Sequence, residues 1–171
     1  MSDCVASVDD MLVQRSEAYA RRRRCTFAEE LGDGIHGVVR VAEDNANFRR
    51  YAVKLHRYPE AYFRERAVYR RLAGLGVVTI RGFNVPQLLG WCDECLAVEM
   101  TIVDRPFVLD FAGAWLDEPP EFSVELWRDW EREKLGQFGA RWPEVQAVLA
   151  ELRALGVAML DVSPSNIAFP R

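Results

Sequence analysis

Lysine is almost missing from this chain. Of the 22 basic residues in 171, only Lys54 and Lys134 are lysines, and the other 20 are arginines. A compact ammonium and a planar guanidinium fork serve different ends, so a lysine kept against this bias marks a place where a point charge is wanted. Lys134 sits in a segment read as a surface helix and gets no such reading. Histidine is equally scarce, with only His36 and His56, and cysteine is limited to Cys4, Cys25, Cys92 and Cys95. The start Met1-Ser2-Asp3-Cys4 lacks a basic stretch followed by an apolar one, so reduced thiols in a cytoplasmic chain are expected and a disulfide framework is not. Cys92 and Cys95 form one C-x-x-C. Zinc takes four ligands, and the other cysteines and histidines are distant in sequence, so the pair reads as a turn between strands. No apolar run approaches the roughly 20 residues of a membrane span, so no membrane partner is expected. Acidic residues outnumber basic ones 26 to 22, for a net charge of −4. That excludes a non-specific nucleic-acid binder, which needs a basic excess.

Half of the residues are hydrophobic, enough for one domain or two small lobes. Residues 7–22 read as a helix, with Ser7 and Asp10 spaced as a capping box. The run Arg21 to Arg24 then reads as a solvated helix end, where cations are favourable. Strands are expected at 25–31, 38–42, 48–56, 86–90 and 96–103, the first two separated by glycines. Pro59 opens a helix over 59–73. Further helices are expected at 107–115, 123–135 and 142–155, and residues 160–169 read as a loop entering a short strand. Strands early and helices late give an α+β arrangement. The five tryptophans, mostly in the later part, read as core or interface.

Three local features carry chemistry. Gly32, Gly34 and Gly37 are followed by Val38-Val39-Arg40-Val41, a strand and not a helix, so a dinucleotide-binding turn is excluded. Gly37 is followed by Val38 and not by Lys-Ser/Thr, so a P-loop is excluded too. What remains is a glycine-rich hairpin, an ordinary turn or one whose amides can approach phosphate. Lys54 lies in the third strand between Val53 and Leu55. On the next helix Ala61, Glu65, Val68, Tyr69 and Leu72 share one stripe, so Glu65 points inward and needs a cation. Lys54 can supply it, and a neighbouring arginine is the alternative.

Together these features resemble the eukaryotic-type protein kinase superfamily. The match runs through Leu31-Gly32-x-Gly34-x-x-Gly37-x-Val39, Ala52-Val53-Lys54, Glu65, the hinge-like Leu96-Ala97-Val98-Glu99-Met100, and Leu160-Asp161-Val162-Ser163-Pro164-Ser165-Asn166-Ile167. The resemblance implies a protein kinase-like fold. A helix and basic run over 1–24 would precede an antiparallel β-sheet N-lobe with one packed helix over 25–103. A shortened, mostly helical C-lobe over 104–171 would follow. It further implies that Gly32, Gly34 and Gly37 cover the phosphates of ATP, that Val39 and Ala52 pack on adenine, and that the backbone of Glu99 and Thr101 bonds its edge. Lys54 would contact the α- and β-phosphates and pair with Glu65. Asp161 would be the catalytic base and Asn166 a ligand of Mg2+.

The acceptor implied is a protein serine or threonine or a small-molecule hydroxyl. Met159-Leu160 stand where protein kinases carry His-Arg. Ser163 stands where protein-serine kinases carry Lys, as small-molecule kinases of the aminoglycoside and choline type often do not. No Asp-Phe-Gly follows Asn166 within the 171 residues, and Asp110-Phe111-Ala112-Gly113 precedes the loop. The resemblance therefore also implies an alternative, a pseudokinase that binds nucleotide or acts as a scaffold. Val145, Val148, Leu149, Leu152 and Leu155 on the 142–155 helix need cover. The N-terminal helix, the 123–135 helix, a second copy or a partner chain is expected to supply it.

Overall fold

The structure, a computed structural model, describes residues 7–170, and Cys4 lies outside them. The first element, α1, is Val8–Arg23. Ser7 caps it as the spacing predicts: its hydroxyl accepts from the Asp10 amide at 3.1 Å and the Asp10 carboxylate accepts from the Ser7 amide at 3.1 Å. These bonds satisfy donors that the first turn leaves without helical partners.

Five strands follow as one sheet: β1 Cys25–Gly34, β2 Gly37–Asp44, β3 Arg50–His56, β6 Leu88–Cys92 and β7 Ala97–Met100, in the order β1-β2-β3-β7-β6 and antiparallel throughout. Side chains alternate between the two faces. Val38, Ala42, Val53, Leu55 and Ala97 share the face that packs with Leu12 and Tyr19 of α1. Arg15 of α1 also donates to the carbonyls of His56 and Arg57 at 2.8 and 3.0 Å. The basic run at the end of α1 is not merely solvated. Arg22 meets Glu94 at 3.1 Å and Arg23 meets Glu99 at 2.6 Å. The helix α2, Pro59–Gly74, buries Ala61, Tyr62, Glu65, Val68, Tyr69 and Leu72 in the stripe read from the sequence.

The chain divides into two compact units. One takes the chain up to Arg66 together with Leu88–Ile102, and the other takes Ala67–Gln87 with the chain from Val103 on. In the second unit, the expected helix over 107–115 is absent. Phe107–Val108 is a strand, β8, and Trp115–Leu116 is another, β9. Asp110 between them has φ 65°, a left-handed conformation that a helix cannot carry.

Nor is this unit mostly helical. Two-residue strands β4 Thr79–Ile80 and β5 Phe83–Asn84 join β8 and β11 Ile167–Ala168 in a four-stranded sheet ordered β11-β8-β5-β4. Strand β10, Val157–Ala158, pairs with β9. Two longer helices complete the unit: α3 Val124–Phe138 and, after a 3₁₀ turn, α4 Trp142–Ala154. Val145, Val148 and Leu152 of α4 are fully buried, with α3, β4 and β10 packed against the helix. Of the covers expected for this face, the 123–135 helix is the one that packs here, as α3, while Leu149 and Leu155 are half-buried.

A tryptophan ladder runs from Trp127 through Trp130 to Trp142, with ring centroids 5.5 and 5.8 Å apart. Trp142 is core, whereas Trp127 is 37% exposed. The surface position expected for Lys134 is wrong. It is the buried residue of α3, and its ammonium donates to Glu133 at 3.0 Å and Gln137 at 3.4 Å. The fold is α+β with antiparallel sheets, apart from one parallel pairing between β5 and β8.

Candidate functional site

The strand register gathers several sequence-read residues of the first unit on one face. Val39 pairs with Lys54, Gly32 with Val39, Gly37 with His56, and Ala52 with Met100. Directly opposed residues share a face, so Gly32, Gly37, Val39, Ala52, Lys54 and His56 look the same way, toward α2. From α2, Glu65 meets Lys54: its Oε2 accepts from the Lys54 ammonium at 2.8 Å. Both side chains are buried. The inward carboxylate therefore has the strand lysine as partner, and the surface-arginine alternative is set aside.

A third group, which sequence reasoning missed, completes the cluster. His56, also fully buried, places Nε2 2.6 Å from the same Glu65 oxygen and Nδ1 3.0 Å from the Leu96 carbonyl. The signal was available. His56 follows Lys54 by two in a strand, and the period of two puts both on one face. Burial pushes the Glu65 carboxyl up, but the Lys54 ammonium and the His56 ring beside it outweigh this and hold it at about 2.

A carboxyl depressed in the folded state contributes stability above its unfolded value and loses it as pH falls toward the folded one. Acid unfolding of the wild type is therefore expected to include a loss of stability between about 4.5 and about 2. Urea midpoints measured across that range should show a shallower loss for Glu65→Gln.

The three glycines of the hairpin differ. A Cβ on Gly37 would lie 2.1 Å from the Leu55 carbonyl oxygen, so the backbone of β3 excludes any side chain there. A Cβ on Gly32 or Gly34 would meet nothing within 4 Å. Packing requires glycine at Gly37 only. The other two leave their strand open where backbone amides can be approached. The hairpin tip is held from β3: Arg57 donates to the Gly34 carbonyl and pairs with Asp33 at 2.9 Å. The Asp33 charge is thereby offset.

In the hinge-like segment, Glu99 opposes Val53 on the α1 face, and its side chain binds Arg23 there. Thr101 follows β7 directly and is half-buried.

In the second unit, the loop from Leu160 to Ile167 is heavily bonded. The Asn166 side-chain oxygen accepts from the Ser163 amide at 2.7 Å, and its amide donates to the Asp161 carbonyl at 2.6 Å. Leu109 donates to the Asn166 carbonyl at 2.9 Å, anchoring the loop beside β8. Trp130 of α3 donates to the Leu160 carbonyl at 3.1 Å. Asp161 is exposed and Asn166 is buried. One lone pair of the Asn166 oxygen is used by Ser163 and one remains for a cation. Mg2+ takes few protein oxygens besides phosphate and water, and this one oxygen is what Asn166 could offer it. Cys92 and Cys95 flank the β6–β7 turn as free, buried thiols. Among the described residues no group of three His, Cys, Asp or Glu forms a metal site.

Comparison with protein-family models, with curated proteins and with solved structures returns no match to this chain.

Proposed function

We propose that this chain is a kinase-like, ATP-binding protein that transfers phosphate to a protein or small-molecule hydroxyl. One observation carries the reading: a buried Lys54–Glu65 pair at 2.8 Å on the sheet face that also bears the glycine-rich hairpin. A buried ion pair is expensive to desolvate, and a hydrophobic pair would fill the same space. An oriented ammonium beside open backbone amides suits a polyphosphate. In this reading Lys54 holds the α- and β-phosphates, with Gly32 and Gly34 giving close backbone approach. Val39 and Ala52 offer the adenine an apolar floor. Asp161 takes the proton of the attacking hydroxyl. Asn166 contributes an oxygen to Mg2+, which neutralises phosphate charge when bound.

A second reading, nucleotide binding without turnover, is favoured by the Asn166 side-chain oxygen, which already accepts from the Ser163 amide and keeps one lone pair for a cation.

A thermal shift tests the first step. MgATP at a hundredfold excess over its Kd should stabilise the wild type by about 2.7 kcal/mol. The shift should disappear in Lys54→Met and in the double variant Gly32→Val/Gly34→Val, whose added atoms enter open space and should leave the fold intact. No shift in the wild type sinks the reading. If transfer to an acceptor is then detected, Asp161→Asn should lower its rate by about 10²–10⁴. An unchanged rate would remove Asp161 from the chemistry, and no transfer despite binding would favour the second reading.

A further inference from the structure

We infer that Arg57 is a positioning residue: its guanidinium ties the tip of the glycine-rich hairpin to the end of β3 and the start of α1, and so fixes the backbone that a polyphosphate would meet. The inference rests on the nucleotide reading of the site and adds to it what holds the hairpin in place.

The hairpin needs such a tie. From Ala28 to Gly34 every residue of β1 is exposed, so no burial holds this arm. Its register with β2 shifts twice before the tip. Gly34 pairs with Gly37, which leaves Ile35 and His36 as a two-residue turn. Two-residue turns that suit the twist of their strands take a positive φ at the first residue. Neither Ile35 nor His36 does so, and Ile35 is 80% exposed.

Arg57, the residue after β3, meets the turn with both its main chain and its side chain. Its main-chain N–H donates to the His36 carbonyl at 2.9 Å. One end of the guanidinium donates to the Gly34 carbonyl, and the other pairs with Asp33 at 2.9 Å. Nε lies 3.5 Å from the Asp9 carboxylate of α1. Three nitrogens of one rigid fork thus reach three separate acceptors, whereas a lysine would bring all its donors to one point.

Arg57 is itself held. Arg15 of α1 donates to its carbonyl at 3.0 Å and to that of His56 at 2.8 Å. The Arg57 side chain is 15% exposed, against 54% for Asp33. The carboxylate at the tip is therefore anchored to a cation that α1 and β3 have already placed. A ligand that sets its phosphates on the Gly32 and Gly34 backbone then meets a segment ordered in advance, and its binding does not bear the cost of ordering it.

The test compares the wild type with Arg57→Lys, Arg57→Gln and Arg50→Gln, all as full chains. Arg50→Gln releases Glu29, further from the tip on the same arm, and serves as the control. Backbone ¹⁵N relaxation should give the Ile35 and His36 amides order parameters of about 0.85 in the wild type and the control, and below about 0.6 in both Arg57 variants. The Kd for MgATP should rise roughly tenfold in both Arg57 variants, the scale of ordering one residue's backbone, and stay within about twofold in the control. Arg57→Lys keeps the charge, so an equal loss in the two variants assigns the effect to the fork and not to the field of a cation. A residue kept for stability alone would lower the urea midpoint and leave both readouts in place. Unchanged order parameters, an unchanged Kd, full rescue by lysine or an equal effect in Arg50→Gln would overturn the inference. A wild type that binds no MgATP sinks the nucleotide reading and the affinity half with it. The order parameters then decide on their own whether Arg57 holds the hairpin. Should Arg57→Gln fail to fold, Arg57→Lys carries both readouts.

Discussion

Glu65→Ala is expected to destabilise the fold by about 3–5 kcal/mol, the usual cost of removing one partner of a buried ion pair. The mechanism is specific. Glu65 Oε2 receives both the Lys54 ammonium and the His56 ring, and all three side chains are buried. Truncation leaves two donors without their acceptor in a space that water does not reach. Urea midpoints at neutral pH measure the effect. Lys54→Met/Glu65→Leu removes both charges and fills the volume, and it should lose far less than Glu65→Ala alone, since apolar replacements of buried pairs are often neutral. If the double variant were as unstable as the single one, packing and not charge would be the cause. The same double variant should bind no ATP, which separates the energetic role of the pair from its proposed use.

The second large effect belongs to Gly37→Ala. Its methyl would sit 2.1 Å from the Leu55 carbonyl oxygen, and 2.9 Å from the His56 Cα. Both are backbone atoms of the central strand β3, bonded on either side, so neither can give way without opening a ladder. A loss above about 4 kcal/mol is expected, or failure to accumulate folded protein. Gly32→Ala and Gly34→Ala meet no neighbour and should stay within about 0.5 kcal/mol of the wild type. Three glycines that look equivalent in the sequence therefore separate by unfolding midpoint. A small effect at Gly37 would refute the described β2–β3 register.

Some of this was legible because it depends on local spacing. Ser7 and Asp10 predict their own capping box, and the stripe from Ala61 to Leu72 places Glu65 inward before any partner is known. The arginine bias singles out Lys54, and the sheet then supplies the distance. What was not legible depends on remote partners or on too few residues. Strands of two residues, such as Thr79–Ile80 and Phe83–Asn84, have no period to read. The segment after Pro106 has helical apolar spacing, yet Asp110 turns left-handed and Phe107–Val108 finds a strand partner nearly sixty residues on. Lys134 lies on a helix with charged neighbours, which conceals its burial. His56 was within reach of the alternation rule, but its importance comes from the Leu96 carbonyl, forty residues away.

The first strand carries a consequence for life in a crowded solution. It lies at the edge of the five-stranded sheet, and its register with β2 shifts twice, between Phe27 and Glu30 and between Glu30 and Gly32. An exposed strand edge ordinarily invites another chain to add to it, and bulges and charges are the means by which such addition is discouraged. Here the two irregularities coincide with exposed Glu29 and Glu30. A glycine-rich hairpin at a sheet edge would otherwise be a template for aggregation. The broken ladder and the acidic fringe make it a poor match for a foreign strand.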